Sequence, residues 1–265
     1  MNKEAQKNKW ATHLEDIHSR FRAVHPAPLN WTMPFVPWCG NGYWESNPRI
    51  LYVGKSVGCL NDEDEEPKLW KTKLEDWNMS PNVPDALKLT QDYVRKRVAN
   101  LTAYRPEFWL VPMLVSGTFV SPQMNPHQLV ESFAWTNLYK ICNRSNEKKG
   151  GLPTKQDLEW QYSEGVSLLH QSALWLMDEI ETLKPHLVIL GISDEWPGVT
   201  EVLKIHVDTK DRLPMMLNDS QVVDLKLSYR PKGIWVTYHF SRWMGSKRNG
   251  AHGRLLLEMR KALES

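Results

Sequence analysis

The sequence predicts an α/β protein built on a mainly parallel sheet covered by helices on both faces. Three observations predict it. Short apolar runs at 49–54, 132–138, 186–191 and 234–238 have the length and composition of strands. Each run is nearly continuous in apolar residues, the pattern of a strand buried above and below. Between the runs lie segments long enough to hold crossover helices, which parallel strands require.

The chain has 265 residues, enough for one large domain with a substantial core, expected to span 1–265. Its 41% apolar and 24% charged fractions are those of a globular chain. A net charge of +2 gives no whole-chain signal for a polyanion, but the charge is unevenly spread. Residues 226–261 carry nine Lys or Arg and one acid, Glu258, while 61–66 are almost all acidic. A one-sided basic segment fits a local anionic partner, and equally a solvated terminal helix.

Three distant cysteines without a CxxC pair suggest neither a zinc ribbon nor a disulfide framework. Free thiols imply a reducing cytoplasm. The polar, lysine-rich start lacks the apolar core of a secretory signal. The apolar run at 187–192 is too short to span a membrane. We therefore expect a cytoplasmic monomer without cofactor or metal. The 13 tryptophans are mostly packing residues taken singly, and together they offer flat surfaces for stacking bases.

In chain order, Trp10, Leu14, Ile17, Phe21 and Val24 recur at helical spacing up to Pro26. Residues 25–48, rich in Pro, Gly, Asn and Trp, read as an irregular surface loop. The segment 1–48 is thus an N-terminal helix and loop. The strand at 49–54 enters Gly54-Lys55-Ser56-Val57-Gly58, whose glycines allow close backbone approach to a ligand. A phosphate-binding P-loop needs a glycine where Arg49 stands, so that motif is rejected.

Residues 60–132 read as a mostly helical insertion, with apolar positions from Ala86 to Leu101 at helical spacing. A strand at 132–138 ends in polar residues. A long amphipathic helix is expected over 154–183, stopped by Pro185. After the strand at 186–191, residues 222–229 alternate like a half-exposed strand. The strand at 234–238 delivers His239, and 254–263 form a closing helix. Ligands of parallel sheets bind beyond the carboxyl ends of the strands. Three such ends converge in this reading: 54–58, 136–140 and 239–243.

Four segments, in order, resemble the uracil-DNA glycosylase superfamily, as a divergent member of its bacterial, archaeal or phage-type branches. Ile50 to Gly58 is similar to the family's apolar strand and G-x-x-P-G loop. Thr136-Asn137-Leu138-Tyr139-Lys140 resembles T-N-x-x-K. Leu183-Lys184-Pro185-His186-Leu187-Val188-Ile189-Leu190-Gly191 resembles L-K-P-x-x-[IV]-x-x-L-G. Thr237-Tyr238-His239-Phe240-Ser241 resembles the H-P-S loop. The resemblance implies a three-layer α/β/α sandwich around a mostly parallel four-stranded sheet.

It also implies roles. Asn137 would read the Watson–Crick edge of a flipped pyrimidine, since its amide offers both a donor and an acceptor. His239 would donate to the pyrimidine O2 as charge develops on the departing base. Gly54 and Gly58 would shape the base pocket, with Phe108 and Trp109 of the insertion enlarging or reshaping it. Trp243 would wedge into the duplex, with Ser241 and Arg242 beside it, while Lys247, Arg248 and Arg254 would grip phosphates.

The departures are specific. The family's activating Asp, Asn or Glu falls where this chain has Lys55 and Ser56, and Val57 and Phe240 replace prolines. Asp62 could reach back from the acidic run, or simply be solvated. Lys55 could act as a Schiff-base nucleophile or contact phosphate. Between Gly58 and Thr136 lie 77 residues, more than a compact member needs. Together these features suggest a substrate other than plain uracil: a modified pyrimidine, such as a hypermodified cytosine of viral DNA, met in antiviral defence. Two alternatives stand beside this DNA glycosylase: a catalytically inactive base-sensing module of the same fold, and a hydrolase of small N-glycosides.

Overall fold

The computed structural model describes residues 37–54, 106–121, 123–139, 161–163, 165–191, 215–217 and 233–236, with positions 8, 12, 159, 257, 259–261, 263 and 264. Its strands are β1 (Trp38–Cys39), β2 (Ile50–Gly54), β3 (Phe133–Asn137), β4 (Gln161–Ser163), β5 (Val166–Ser167), β6 (Leu187–Leu190), β7 (Met215–Leu217) and β8 (Gly233–Val236). Its helices are α1 (Pro106–Phe119), α2 (Pro126–Val130) and α3 (Leu168–Leu183), with a 3-10 turn at Tyr43–Glu45. The chain is an α/β protein.

One sheet holds six strands in the order β1-β3-β2-β6-β8-β7, and β4 and β5 form a separate hairpin. The inner four strands run parallel. The edge strands β1 and β7 run antiparallel to their neighbours, so the sheet is mixed. This corrects the four-stranded, mostly parallel sheet expected from the sequence. The four apolar runs do form the inner strands. The additional strands are edge pieces of two and three residues, too short to show a period.

The inner strands form where the sequence is apolar on both faces. Ile50, Leu51, Tyr52, Val53, Phe133, Ala134, Trp135 and Leu187 to Leu190 are all buried. Each large apolar side chain among them contributes roughly 1.5–3 kcal/mol through burial. Paired residues present the same face, so Trp38, Trp135 and Tyr52 make one aromatic row across three strands.

Residues 37–46 do not form a surface loop. Trp38, Tyr43 and Trp44 are buried, and β1 pairs with β3. The Trp38 indole donates to the Val130 carbonyl at 3.4 Å, and the Tyr43 hydroxyl donates to the Leu183 carbonyl at 3.1 Å. Glycine here serves close packing: a Cβ at Gly40 would overlap the backbone of Glu131. The Pro, Gly and Trp composition marks a tightly fitted segment rather than a solvated one.

The helix expected over 154–183 is interrupted: position 159 is helical, residues 161–163 are strand, and the helix α3 begins at Leu168. Residues 161–163 and 166–167 pair as the β4–β5 hairpin, with Gly165 at a φ of 72°. Ser167 then caps α3, its Oγ accepting from the His170 backbone N–H at 3.2 Å. The helix ends at Lys184, which adopts the left-handed conformation at φ 49°. Its buried face holds Trp175, Leu176, Ile180 and Leu183, and also the polar Ser172 and Glu179.

Within the expected helical insertion, α1 and α2 are helical. Positions 257, 259–261, 263 and 264 are helical too, in keeping with a closing helix, and Met259 is buried. The strand expected at 222–229 and the helix at 85–101 lie outside the described residues. So does the helix at 10–24 apart from position 12, which is helical. Strand β7 had no counterpart in the sequence reading.

Candidate functional site

The four inner strands share one carboxyl edge. From β2 the chain crosses to β3 on one side; it later returns to β6 on the other side of β2, and continues outward to β8. The direction of travel therefore reverses between β2 and β6. In open α/β sheets such a reversal is where ligands commonly bind, beyond the carboxyl ends of the strands.

Register fixes what stands at this edge. Gly54 at the end of β2 pairs with Asn137 at the end of β3. The ladder continues past both strands, the Leu138 N–H donating to the Gly54 carbonyl at 2.8 Å. On the other side, the Gly191 N–H donates to the Val53 carbonyl at 2.7 Å, which carries the β2–β6 register one residue beyond Leu190. Asn137 and Gly54, singled out from the sequence as base-binding residues, are thus side by side. Gly191 is a neighbour the sequence reading gave no role, because a glycine after an apolar run signals only the end of a strand.

Asn137 is fully buried, as are Thr136, Leu138 and Tyr139 around it. Burial raises the Tyr139 hydroxyl pKa, and raises that of Tyr52, on the rung below Gly54, well above the ordinary tyrosine value. Both hydroxyls are neutral at physiological pH and can take part only as hydrogen-bonding groups. An amide held among buried side chains gains in electrostatic strength, since water does not compete for it.

Glu179 is the one fully buried carboxylate among the described residues, and the sequence reading missed it. It does not supply the acid lacking from the first loop. It lies one turn before Leu183, and the chain enters β6 at the amino edge four residues after that helix end. One helical turn is about 5.4 Å, whereas a five-residue strand spans about 16 Å. Glu179 therefore stands near the edge opposite Asn137. The amino edge is tied by Arg49, whose backbone N–H donates to His186 Nδ1 at 2.9 Å and whose Nε donates to the Lys184 carbonyl at 2.9 Å. His186 is thus a structural acceptor.

Phe108 and Trp109 lie on α1. Lys55, Ser56, Gly58, Asp62, His239, Ser241, Arg242, Trp243, Lys247, Arg248 and Arg254 lie outside the described residues. His239 follows the end of β8, at Val236, by three residues, and β8 is parallel to β2 and β3. Among the described residues, no three His, Cys, Asp or Glu side chains converge to hold a metal ion. None of the helices is long and apolar enough to cross a membrane, again among the described residues.

The fold defines the class: an α/β protein with a mixed six-stranded sheet and a reversal of strand order between β2 and β6. Comparison with known proteins adds no family, since no family model matches the chain and no curated protein matches it.

Proposed function

We propose that the chain is a DNA glycosylase of the uracil-DNA glycosylase type, acting on a modified pyrimidine. The observation that carries this reading is the pairing of Gly54 with Asn137 at the carboxyl edge, beside the reversal of strand order. It brings two of the four resembling segments together. The third, at 183–191, supplies the strand on the other side of β2, and the fourth follows β8 from the same edge. Right-handed crossovers would put α1 and α2 on one face and α3 on the other, since the two connections move in opposite directions across the sheet. That arrangement is the three-layer sandwich the resemblance implies.

In this mechanism the target nucleotide leaves the stack and its base enters the site at the carboxyl edge. Asn137 pairs with the base edge through one donor and one acceptor. The bond between sugar C1′ and base nitrogen breaks, and the base departs with the electron pair. His239 donates a hydrogen bond to the O2 on which negative charge develops. Water adds to C1′, loses its proton, and leaves an abasic site. With Lys55 and Ser56 where the family has its acid, leaving-group stabilisation by His239 carries a larger share of the rate. Trp243 fills the gap in the duplex, and the basic segment holds phosphates.

The experiment is an abasic-site assay on duplex and single-stranded DNA carrying uracil, 5-hydroxymethylcytosine or its glucosylated form. Abasic product is expected with at least one base, and His239→Ala should lower kcat by about 100-fold or more, the scale of losing one transition-state hydrogen bond. Full activity in His239→Ala overturns the mechanism. Binding without product on any base supports the base-sensing module instead, and cleavage of free nucleosides alone supports a small N-glycoside hydrolase.

A further inference from the structure

We propose that His186 makes the amino edge of the sheet sensitive to pH, holding the start of β2 while its imidazole is neutral and releasing it on protonation. The proposal stands at the edge opposite Asn137 and is independent of the base-excision reading. Arg49, the residue before β2, is bonded on every side to the link between α3 and β6. Its carbonyl accepts from the His186 N–H at 2.8 Å and from the Leu187 N–H at 3.1 Å. Its Nε donates to the Lys184 carbonyl at 2.9 Å. Its backbone N–H donates to His186 Nδ1 at 2.9 Å. Peptide groups and the guanidinium keep their protonation state across the physiological range, so the first three bonds do not respond to pH. The fourth does, because an imidazole nitrogen accepts a hydrogen bond only while it carries no proton.

Protonation at Nδ1 sets a second N–H against the Arg49 N–H, two donors with no acceptor between them. Arg49 and His186 are both half-buried, which leaves the ring within reach of solvent protons. Among the described residues, the charged groups on the elements that meet at this edge are Glu45 of the 3-10 turn, Arg49, Glu131 before β3, and Asp178, Glu179, Glu181 and Lys184 on α3 and its cap. The cations Arg49 and Lys184 oppose a positive charge on the imidazole, and the acids favour it. Neither set restores the bond, because a neighbouring charge does not return an acceptor to the Arg49 N–H. An ordinary histidine changes state near about pH 6.5. The tie is therefore intact above that pH and lost as pH falls below it. The other end of the same strand pair has no such dependence, since β2 and β6 are joined there by backbone groups alone, ending with the Gly191 N–H on the Val53 carbonyl at 2.7 Å.

The test is backbone amide hydrogen exchange on the purified full chain at about pH 7.5 and about pH 5.5, each rate corrected for the intrinsic pH dependence of exchange. Protection of the Arg49 amide is expected to fall by about 10-fold at the lower pH, the ratio of protonated to neutral imidazole one unit below about 6.5. The Gly191 amide should keep its protection. His186→Asn places an amide oxygen on the same Cγ that carries Nδ1 and cannot take up the proton, so Arg49 protection should hold at both pH values. His186→Leu offers no acceptor and should show low protection at both. Unchanged Arg49 protection in the wild type, or equal losses at Arg49 and Gly191, overturns the proposal. So does an acid-dependent loss that persists in His186→Asn. The wild-type comparison of the two amides decides the matter even where a variant does not fold, and the presence or absence of abasic product has no bearing on it.

Discussion

Single residues in this protein act mainly through what their side chains, or the lack of one, permit. Gly40 and Gly117 make a matched pair. A Cβ at Gly40 would overlap the Glu131 backbone, which cannot rotate away, whereas among the described residues a Cβ at Gly117 would meet the Leu129 methyls at 3.6 and 3.8 Å. Gly40→Ala should cost about 1–3 kcal/mol through overpacking. Gly117→Ala, within α1, should be neutral or stabilising by up to about 1 kcal/mol, since alanine favours helix over glycine. Urea unfolding of both variants checks this, and a Gly40→Ala midpoint equal to wild type would contradict the packing described for β1. The buried tyrosines give a second consequence. Burial raises both hydroxyl pKa values, so the folded chain keeps protons that the unfolded chain releases above about pH 10. Stability is complete below that pH and declines as pH rises toward the folded-state values, by about 1.4 kcal/mol per pH unit for each tyrosine. Tyr52→Phe should flatten this alkaline limb in unfolding measured between pH 9 and 11, and an unchanged slope would show that Tyr52 ionises in the folded state as it does unfolded.

Elements differ in how openly the sequence declares them. The inner strands were legible because burial on both faces leaves near-continuous apolar runs, as in Leu187 to Leu190. The edge strands were not. Trp38–Cys39 and Met215–Leu217 are too short to display alternation, and their pairing is set by the strand already beside them. The start of α3 was misread for a different reason: Trp160 and Val166 continue the helical spacing backwards, while the residues that decide the boundary are Gly165 and Ser167. At the site, Gly54, Asn137 and Gly191 all fall in segments that carry the resemblance, whereas their standing side by side follows only from register. The cap makes the boundary testable. Ser167→Ala removes the acceptor for the His170 N–H and should destabilise by about 1 kcal/mol, with Ser167→Asp or Asn restoring most of it. If Ser167→Ala has no effect on the urea midpoint at an unchanged slope, α3 does not begin where Ser167 caps it.

At the scale of the whole molecule, charge is distributed unevenly along the chain relative to the sheet. The net charge of +2 hides a chain whose basic residues gather after β8, at Arg242, Lys247, Arg248 and Arg254. That segment follows the strand whose carboxyl end shares an edge with Gly54 and Asn137. A base-excision site needs such an arrangement, because the base must be held within reach of the backbone from which it came. Phosphate contacts made by Lys247, Arg248 and Arg254 would release condensed counterions, so affinity should fall with salt at a slope near −0.9 per contact on a logarithmic scale. Three contacts correspond to a loss of about 40-fold between 50 and 200 mM salt. Fluorescence anisotropy with a labelled duplex measures this directly. Lys247→Ala should lower the slope by about one while weakening binding to all sequences alike, as expected of a residue that contacts phosphate rather than base. A flat salt response would mean that the basic segment is a solvated surface, and that any base recognition at Asn137 operates without an electrostatic grip on DNA.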